Sequence, residues 1–132
     1  MSEENVEIVR HVYEAFNKRD ADEAVELVSP GFSFQSEFDV LSGRRYQGRA
    51  GFRKYFQDIA DAWAEFNVEL DEIETFGDAV IVAYRERAIG RGSGLEVNAR
   101  GYELWRVERG QVVSKQNYAS KEQALEAAGL SE

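Results

Sequence analysis

Apolar positions near the N-terminus follow a helical rhythm. Val6, Val9, Val12, Tyr13 and Phe16 recur at three- and four-residue intervals through residues 3–18, with Glu7, Arg10, Glu14 and Asn17 on the opposite arc. Asp20 and Glu23 have capping-box spacing, in which a side-chain oxygen takes up a free N–H of the first turn. Ala21, Ala24, Val25 and Val28 form the stripe behind them, which predicts a short second helix ending near Pro30. Phe32, Phe34 and Phe38 then alternate partly with Ser33, Gln35 and Glu37, the period of a strand packed on one side. Residues 41–48 break that pattern. Phe52, Tyr55, Phe56, Ile59, Ala60 and Trp63 restore a helical period over three turns, the strongest such signal in the chain. Burying each large side chain there is worth roughly 1.5–3 kcal/mol, so this third helix is expected to close over the main core.

After Trp63 the period changes to two. Strands are predicted over residues 66–75, 79–89, 95–108 and 111–118, separated by Gly77-Asp78, Arg91-Gly92-Ser93-Gly94 and Arg109-Gly110. Such short turns imply an antiparallel meander. Ser120 and Gln123 form another capping box, and Gly129 supplies a stop after Ala124, Leu125 and Ala128. The order predicts an α+β domain whose sheet is long relative to its helices. Such a sheet can curl around the third helix and leave a pocket between them.

Turn chemistry suggests which side chains share that pocket. A three-residue loop of Glu108, Arg109 and Gly110 would pair Trp105 with Val113, Glu103 with Lys115 and Gly101 with Asn117. Cross-strand partners share a face, so Glu103, Trp105, Lys115 and Asn117 are expected to look the same way. Carrying the register across residues 91–94 adds Val80, Val82, Tyr84 and Glu86, and a one-residue slip there would reverse the assignment. This face is expected to line the pocket, with Tyr13, Tyr55 and Trp63 contributed by helices. Tyr and Trp join an apolar body to a hydrogen-bonding tip, which suits a flat or cyclic hydrophobic ligand. Glu103 becomes the candidate general acid or base. The simpler reading of Glu103 and Lys115 is a cross-strand ion pair.

Composition narrows the partners. The 132 residues suit one domain spanning residues 1–132, and a formal net charge of −9 with no basic stripe argues against nucleic acid and anionic membrane. No cysteine is present for disulfide, thiolate or cysteine–metal chemistry. No apolar run approaches the ~20 residues of a membrane span, and residues 1–5 are acidic, so a cytoplasmic location is expected. Gly90-Arg91-Gly92-Ser93-Gly94 leads into a strand rather than a helix N-terminus and reads as a hairpin loop, not a phosphate cradle. Glu3-Glu4 and Asp71, Glu72, Glu74 lack the spacing of a calcium loop. His11, the single histidine, falls on the arc with Glu7, Glu14 and Lys18 and is expected in solvent.

Three segments together resemble the SnoaL-like branch of the nuclear-transport-factor-2-like superfamily. They are Val9-Arg10-His11-Val12-Tyr13-Glu14-Ala15-Phe16-Asn17-Lys18-Arg19-Asp20, the run Tyr46-Gln47-Gly48-Arg49-Ala50-Gly51-Phe52, and the hairpin from Trp105 to Val113 turning at Arg109-Gly110. The resemblance implies a cone-shaped, curved antiparallel or mixed sheet wrapped around N-terminal helices and a long third helix. It also implies a deep apolar cavity for a small hydrophobic molecule, no cofactor, and a homodimer through the outer sheet face. Superfamily members include polyketide cyclases, ketosteroid isomerase, scytalone dehydratase and limonene-epoxide hydrolase, and fold alone does not choose among them. SnoaL-like cyclases use an acidic residue on the last strand. The matching position here is Asn117, an amide that cannot exchange a proton at neutral pH but can orient a ligand carbonyl or a water. Three functions are therefore carried forward. The first is a binding domain of unassigned activity. The second is a cofactor-independent isomerase, cyclase, dehydratase or hydrolase using a pocket carboxylate such as Glu103. The third is a dimeric interaction module whose sheet face is the functional surface.

Overall fold

A computed structural model describes residues 2–34 and 45–129. The elements run α1 (Ser2–Lys18), α2 (Ala21–Val25), β1 (Val28–Phe34), β2 (Tyr46–Gln47), α3 (Gly48–Ala62), β3 (Trp63–Phe76), β4 (Ala79–Gly90), β5 (Glu96–Glu108), β6 (Gln111–Tyr118) and α4 (Lys121–Ala127). The strands form a six-stranded sheet in the order β2-β1-β6-β5-β4-β3, antiparallel except where β1 runs parallel to β6. The α+β architecture, the long third helix and the curved mixed sheet are those expected.

Several boundaries differ from expectation, each for a local reason. The Asp20 side chain accepts from the Glu23 N–H as the capping box requires, but α2 stops at Val25 and Pro30 lies inside β1. Val28, Phe32 and Phe34 are buried there, so Val28 belongs to a strand rather than to a helical stripe. The two-residue β2 was not anticipated. It pairs Phe34 with Tyr46, whose aromatic rings stack 6.0 Å apart. Phe38, and the broken stretch up to residue 44, lie outside the described residues. Trp63, expected on the third helix, has extended backbone (φ −124°, ψ 128°) and begins β3 opposite Gly90.

The core lies between the helices and one face of the sheet. Val9, Val12, Tyr13 and Phe16 of α1 and Phe52 and Phe56 of α3 pack with Val68, Val80, Val82, Trp105, Val107 and Val112. Phe16 stacks on Phe56 at 4.1 Å, and Phe52 meets Phe32 edge-on at 5.0 Å, so the third helix does close the core. Part of the opposite face is covered by α4, where Ala79, Ile81 and Leu104 pack with Ala124 and Leu125. Farther along, that face carries ion pairs, Arg85 with Glu69 and Asp71 and Arg87 with Glu65 and Glu96. No helix among the described residues is long and apolar enough to cross a membrane.

The β5–β6 hairpin departs from the expected register by two residues, in two steps. Its turn contains two residues, Arg109 (φ 54°) and Gly110 (φ 78°), and Glu108 pairs with Gln111. Positive φ at both central positions suits the right-handed twist of the flanking strands. A bulge then adds one residue: Val107 pairs with Val112 but Arg106 with Ser114, leaving Val113 unmatched. Trp105 therefore faces Lys115, and Glu103 faces Asn117. Without the bulge, Lys115 would point out of the core. The β4–β5 register pairs Val80 with Trp105, Val82 with Glu103, Tyr84 with Gly101 and Glu86 with Ala99, which gives the shared face that alternation predicts.

Candidate functional site

The inner face of β4, β5 and β6 carries a polar cluster embedded in the aromatic core. Glu103, 6% exposed, and Lys115, 4% exposed, are buried, and Lys115 Nζ stands 3.1 Å from Glu103 Oε2. Their residues sit diagonally across the hairpin rather than opposite each other. Burying two charges is costly unless their remaining hydrogen-bonding capacity is met. Here it is met on both sides. Tyr13 donates its hydroxyl to Glu103 Oε1, and Trp105 Nε1 donates to the Tyr13 oxygen at 3.0 Å. Asn117 Nδ2 donates to Glu103 Oε2 at 3.0 Å. Lys115 donates to the Tyr55 hydroxyl at 2.7 Å and lies 4.3 Å above the Phe34 ring and 4.7 Å above that of Tyr55, faces whose negative quadrupole favours a cation.

These neighbours bias each group's ionisation. Burial opposes a charged Lys115, but the Glu103 carboxylate and the Tyr55 oxygen outweigh it and hold the ammonium above its usual range. Burial, reinforced by the Glu103 charge, raises the Tyr13 hydroxyl strongly. Burial also raises Tyr55, with Lys115 working against it. Tyr84 is pushed up to about 12, first by burial and then by Glu103. At neutral pH all three tyrosines are hydrogen-bond donors.

Burial falls off along the cluster. Tyr13, Trp105, Glu103 and Lys115 are buried, whereas Tyr55, Tyr84, Gly101 and Asn117 are half-buried. Asn117 Nδ2 also lies 3.3 Å from the Tyr84 oxygen, extending the chain to that half-buried end. Gly101 makes room for it, because a Cβ there would lie 3.0 Å from the Tyr84 oxygen and 3.3 Å from the Tyr118 carbonyl. On the opposite face of the sheet a groove of about 600 Å³, lined mainly by Asp71, Ala83, Arg100, Tyr102 and Lys121, borders Tyr84 and Gly101.

The structure thus brings together Tyr13, Tyr55, Tyr84, Glu103, Trp105, Lys115 and Asn117 of the expected site. Trp63 is separate from it. It is half-buried at the α3–β3 junction, outside the main core, with its carbonyl accepting from Arg91. His11 is exposed and pairs with Glu23, as its helical position indicates. One contributor escaped the sequence reading of the site, and another, expected on this face, was given no role in it. Phe34 supplies a ring under Lys115, which nothing in its own alternation could signal. Glu86 shares the inner face with Tyr84 and is half-buried. Its carboxyl is raised by burial and then by Glu103, against the pull of Lys115. The signal was present, a glutamate at an inward position between Tyr84 and Ala88.

Comparison with known proteins bears on the fold that carries these residues. A nuclear-transport-factor-2-like protein of unknown function from Burkholderia pseudomallei is similar over 96% of this chain and 97% of its own, with 21% identity and a TM-score of 0.79. TerC, crystallised with polyporic acid, is similar over 93% of this chain and 96% of its own, with 17% identity and a TM-score of 0.76. An epoxide hydrolase of the limonene-epoxide-hydrolase-like type from M. tuberculosis is similar over 90% of this chain and 84% of its own, with 16% identity and a TM-score of 0.74. At these identities the likeness concerns the fold alone. No curated protein matches the sequence. The SnoaL-like domain family matches residues 9–115, from the first turns of α1 to the lysine of the buried pair, and the chain belongs to that family.

Proposed function

We propose that the concave face binds a small hydrophobic molecule bearing a carbonyl or hydroxyl group, with its polar end at Tyr84 and Asn117 and its apolar body against the aromatic wall. One observation carries this reading: a fully satisfied buried network ends in groups with unused capacity. The Tyr84 oxygen accepts from Asn117, so its own hydrogen is available, and no described residue donates to Asn117 Oδ1. A donor and an acceptor, held in place by Glu103 and Lys115, can grip a carbonyl or hydroxyl without reorganisation. The complex of TerC with polyporic acid and the epoxide hydrolase likeness support a small-molecule role on this fold.

Binding of 2-tetralone and 2-naphthol, followed by tryptophan fluorescence and by backbone amide shifts, tests the reading. Y84F and N117A are each expected to weaken binding about tenfold, or about 1.4 kcal/mol for one lost hydrogen bond. Affinity unchanged in both variants would remove Tyr84 and Asn117 from the site. A second reading, a cofactor-independent isomerase, cyclase, dehydratase or hydrolase, is favoured by the presence of titratable carboxyls on the same face. Within it, Glu103 has both oxygens engaged and is best placed to position its neighbours.

A further inference from the structure

Away from the concave face, a hollow of about 210 Å³ opens where the corner between α1 and α2 meets α3 and the start of β3. Its floor is aromatic, made by Phe16, Phe56 and Phe66. Phe16 and Phe56, stacked at 4.1 Å, keep 8% and 9% exposure, whereas Phe52 beside them, which does not line the hollow, keeps 0%. The aromatic core is thus open to solvent at this point. Arg53, Phe56, Gln57 and Ala60 line the hollow at the three- and four-residue spacing of one helix face, while Tyr55, which accepts from Lys115, does not. The hollow therefore lies on a different flank of α3 from the polar cluster.

Its rim carries two guanidinium groups, those of Arg19 and Arg53. Arg19 turns the chain out of α1, its N–H donating to the Phe16 carbonyl at 3.0 Å and the Asp20 N–H to that of Ala15 at 2.9 Å. Its φ of 58° is the left-handed conformation that glycine adopts more cheaply at a helix end. Among the described residues its guanidinium has one partner, the Ala64 carbonyl at 2.9 Å. Arg53 also has one, Asp22 at 2.7 Å, in an exposed ion pair that a competing carboxylate can replace at little cost. Each guanidinium presents five N–H donors, so most of this capacity is unspent.

We propose that this hollow is a binding site, separate from the concave face, for a small free aromatic carboxylate whose ring lies on Phe16, Phe56 and Phe66 and whose charged end meets Arg19 and Arg53. Its volume is below the roughly 300–1,000 Å³ of pockets for drug-sized ligands, so it admits one ring with a short acidic arm and not a polycycle. The floor supplies apolar area, and the planar guanidinium forks match the two oxygens of a carboxylate. In a chain of net charge −9, a hollow lined by two cations and no described acid selects an anion.

The experiment follows backbone amide shifts of wild type, R19G and R53Q during titration with phenylacetate, and with phenethyl alcohol as the uncharged counterpart. Phenylacetate should saturate with a Kd on the order of 1 mM. It should shift the amides of the α1–α2 corner and of residues 53–60 and 66, not those of Tyr84 and Asn117. The alcohol should bind at least about fivefold more weakly, and each arginine variant should weaken phenylacetate about five- to tenfold. Glycine suits the backbone at position 19, so R19G is expected to keep its fold, which its urea midpoint checks. R53Q changes an exposed side chain and answers the question alone should R19G unfold. Equal affinity for acid and alcohol, or wild-type affinity in either folded variant, would overturn the proposal. So would shifts confined to Tyr84 and Asn117, or no saturable shift up to about 20 mM. None of these outcomes bears on ketone binding at the concave face.

Discussion

The buried pair makes a quantitative claim that single and double substitutions can test. At 3.1 Å and an effective dielectric of about 20, the attraction between Lys115 and Glu103 is roughly 5 kcal/mol before desolvation is counted. Removing one partner strands the other, which typically costs about 3–5 kcal/mol. The two directions should differ. In K115M, Glu103 keeps the Tyr13 hydroxyl and the Asn117 amide, so a loss near 3 kcal/mol, the lower end of that range, is expected. In E103L, Lys115 keeps only Tyr55 and the ring faces, while Tyr13 and Asn117 both lose an acceptor, so a loss near 5 kcal/mol is expected. The double variant E103L/K115M leaves no buried charge and should be more stable than E103L alone. Its total loss should fall short of the sum of the single losses by at least about 2 kcal/mol. Urea unfolding followed by circular dichroism gives each value, provided the slope with denaturant stays constant. Additive effects, or a K115M loss below about 1 kcal/mol, would refute the view that these charges are satisfied by one another.

Three further outcomes follow from the geometry. Gly101→Ala forces a methyl to 3.0 Å from the Tyr84 oxygen, so a loss of about 1–3 kcal/mol is expected, with a shifted Asn117 side-chain amide resonance; an unmoved resonance would show that Tyr84 does not occupy that space. Tyr13, Tyr55, Tyr84 and Lys115 all have folded values above their unfolded ones. Their contribution to stability is therefore fully present below about pH 10 and lost as pH rises through the folded values; no alkaline fall in the urea midpoint would contradict it. Glu86 is raised as well, so its contribution is present below the ordinary glutamate value of about 4.3 and is lost as pH rises through the folded value. E86Q is thus expected to be more stable than wild type at pH 7 and equal to it near pH 4, and the opposite order in unfolding midpoints would count against an inward-facing Glu86.

Periodicity made much of this molecule legible because burial imposes it. The stripe on α1, the Phe52 and Phe56 face of α3 and the four-strand meander are each a direct record of which side meets the core. What it misjudged is set by tertiary contacts. Val28 fits a helical stripe in sequence, yet it is recruited into β1 beside Val112. Trp63 continues the rhythm of α3 after the backbone has already turned extended. The face carrying Glu103, Trp105, Lys115 and Asn117 was read correctly although the pairing was not. The turn has one residue fewer than expected and the bulge at Val113 adds one more step, and two such steps in the same direction restore the parity of the strand. A single step would have turned Lys115 and Asn117 outward.

The polar cluster raises a question that stability alone does not answer. Apolar residues of similar volume often replace a buried ion pair at little cost, so stability alone does not account for Glu103 and Lys115. What an apolar replacement could not do is orient polar neighbours. The Glu103 carboxylate fixes the Tyr13 hydroxyl on one oxygen and the Asn117 amide on the other, and that amide in turn sets the Tyr84 oxygen as an acceptor. Each group beyond the ion pair is held by the one beneath it, and among the described residues Tyr84 and Asn117, at the half-buried end, keep unused hydrogen-bonding capacity. A core stiffened by charge at its floor and left incomplete at its rim is the arrangement that the proposed binding of a small hydrophobic molecule calls for, because such a ligand would supply the missing partners.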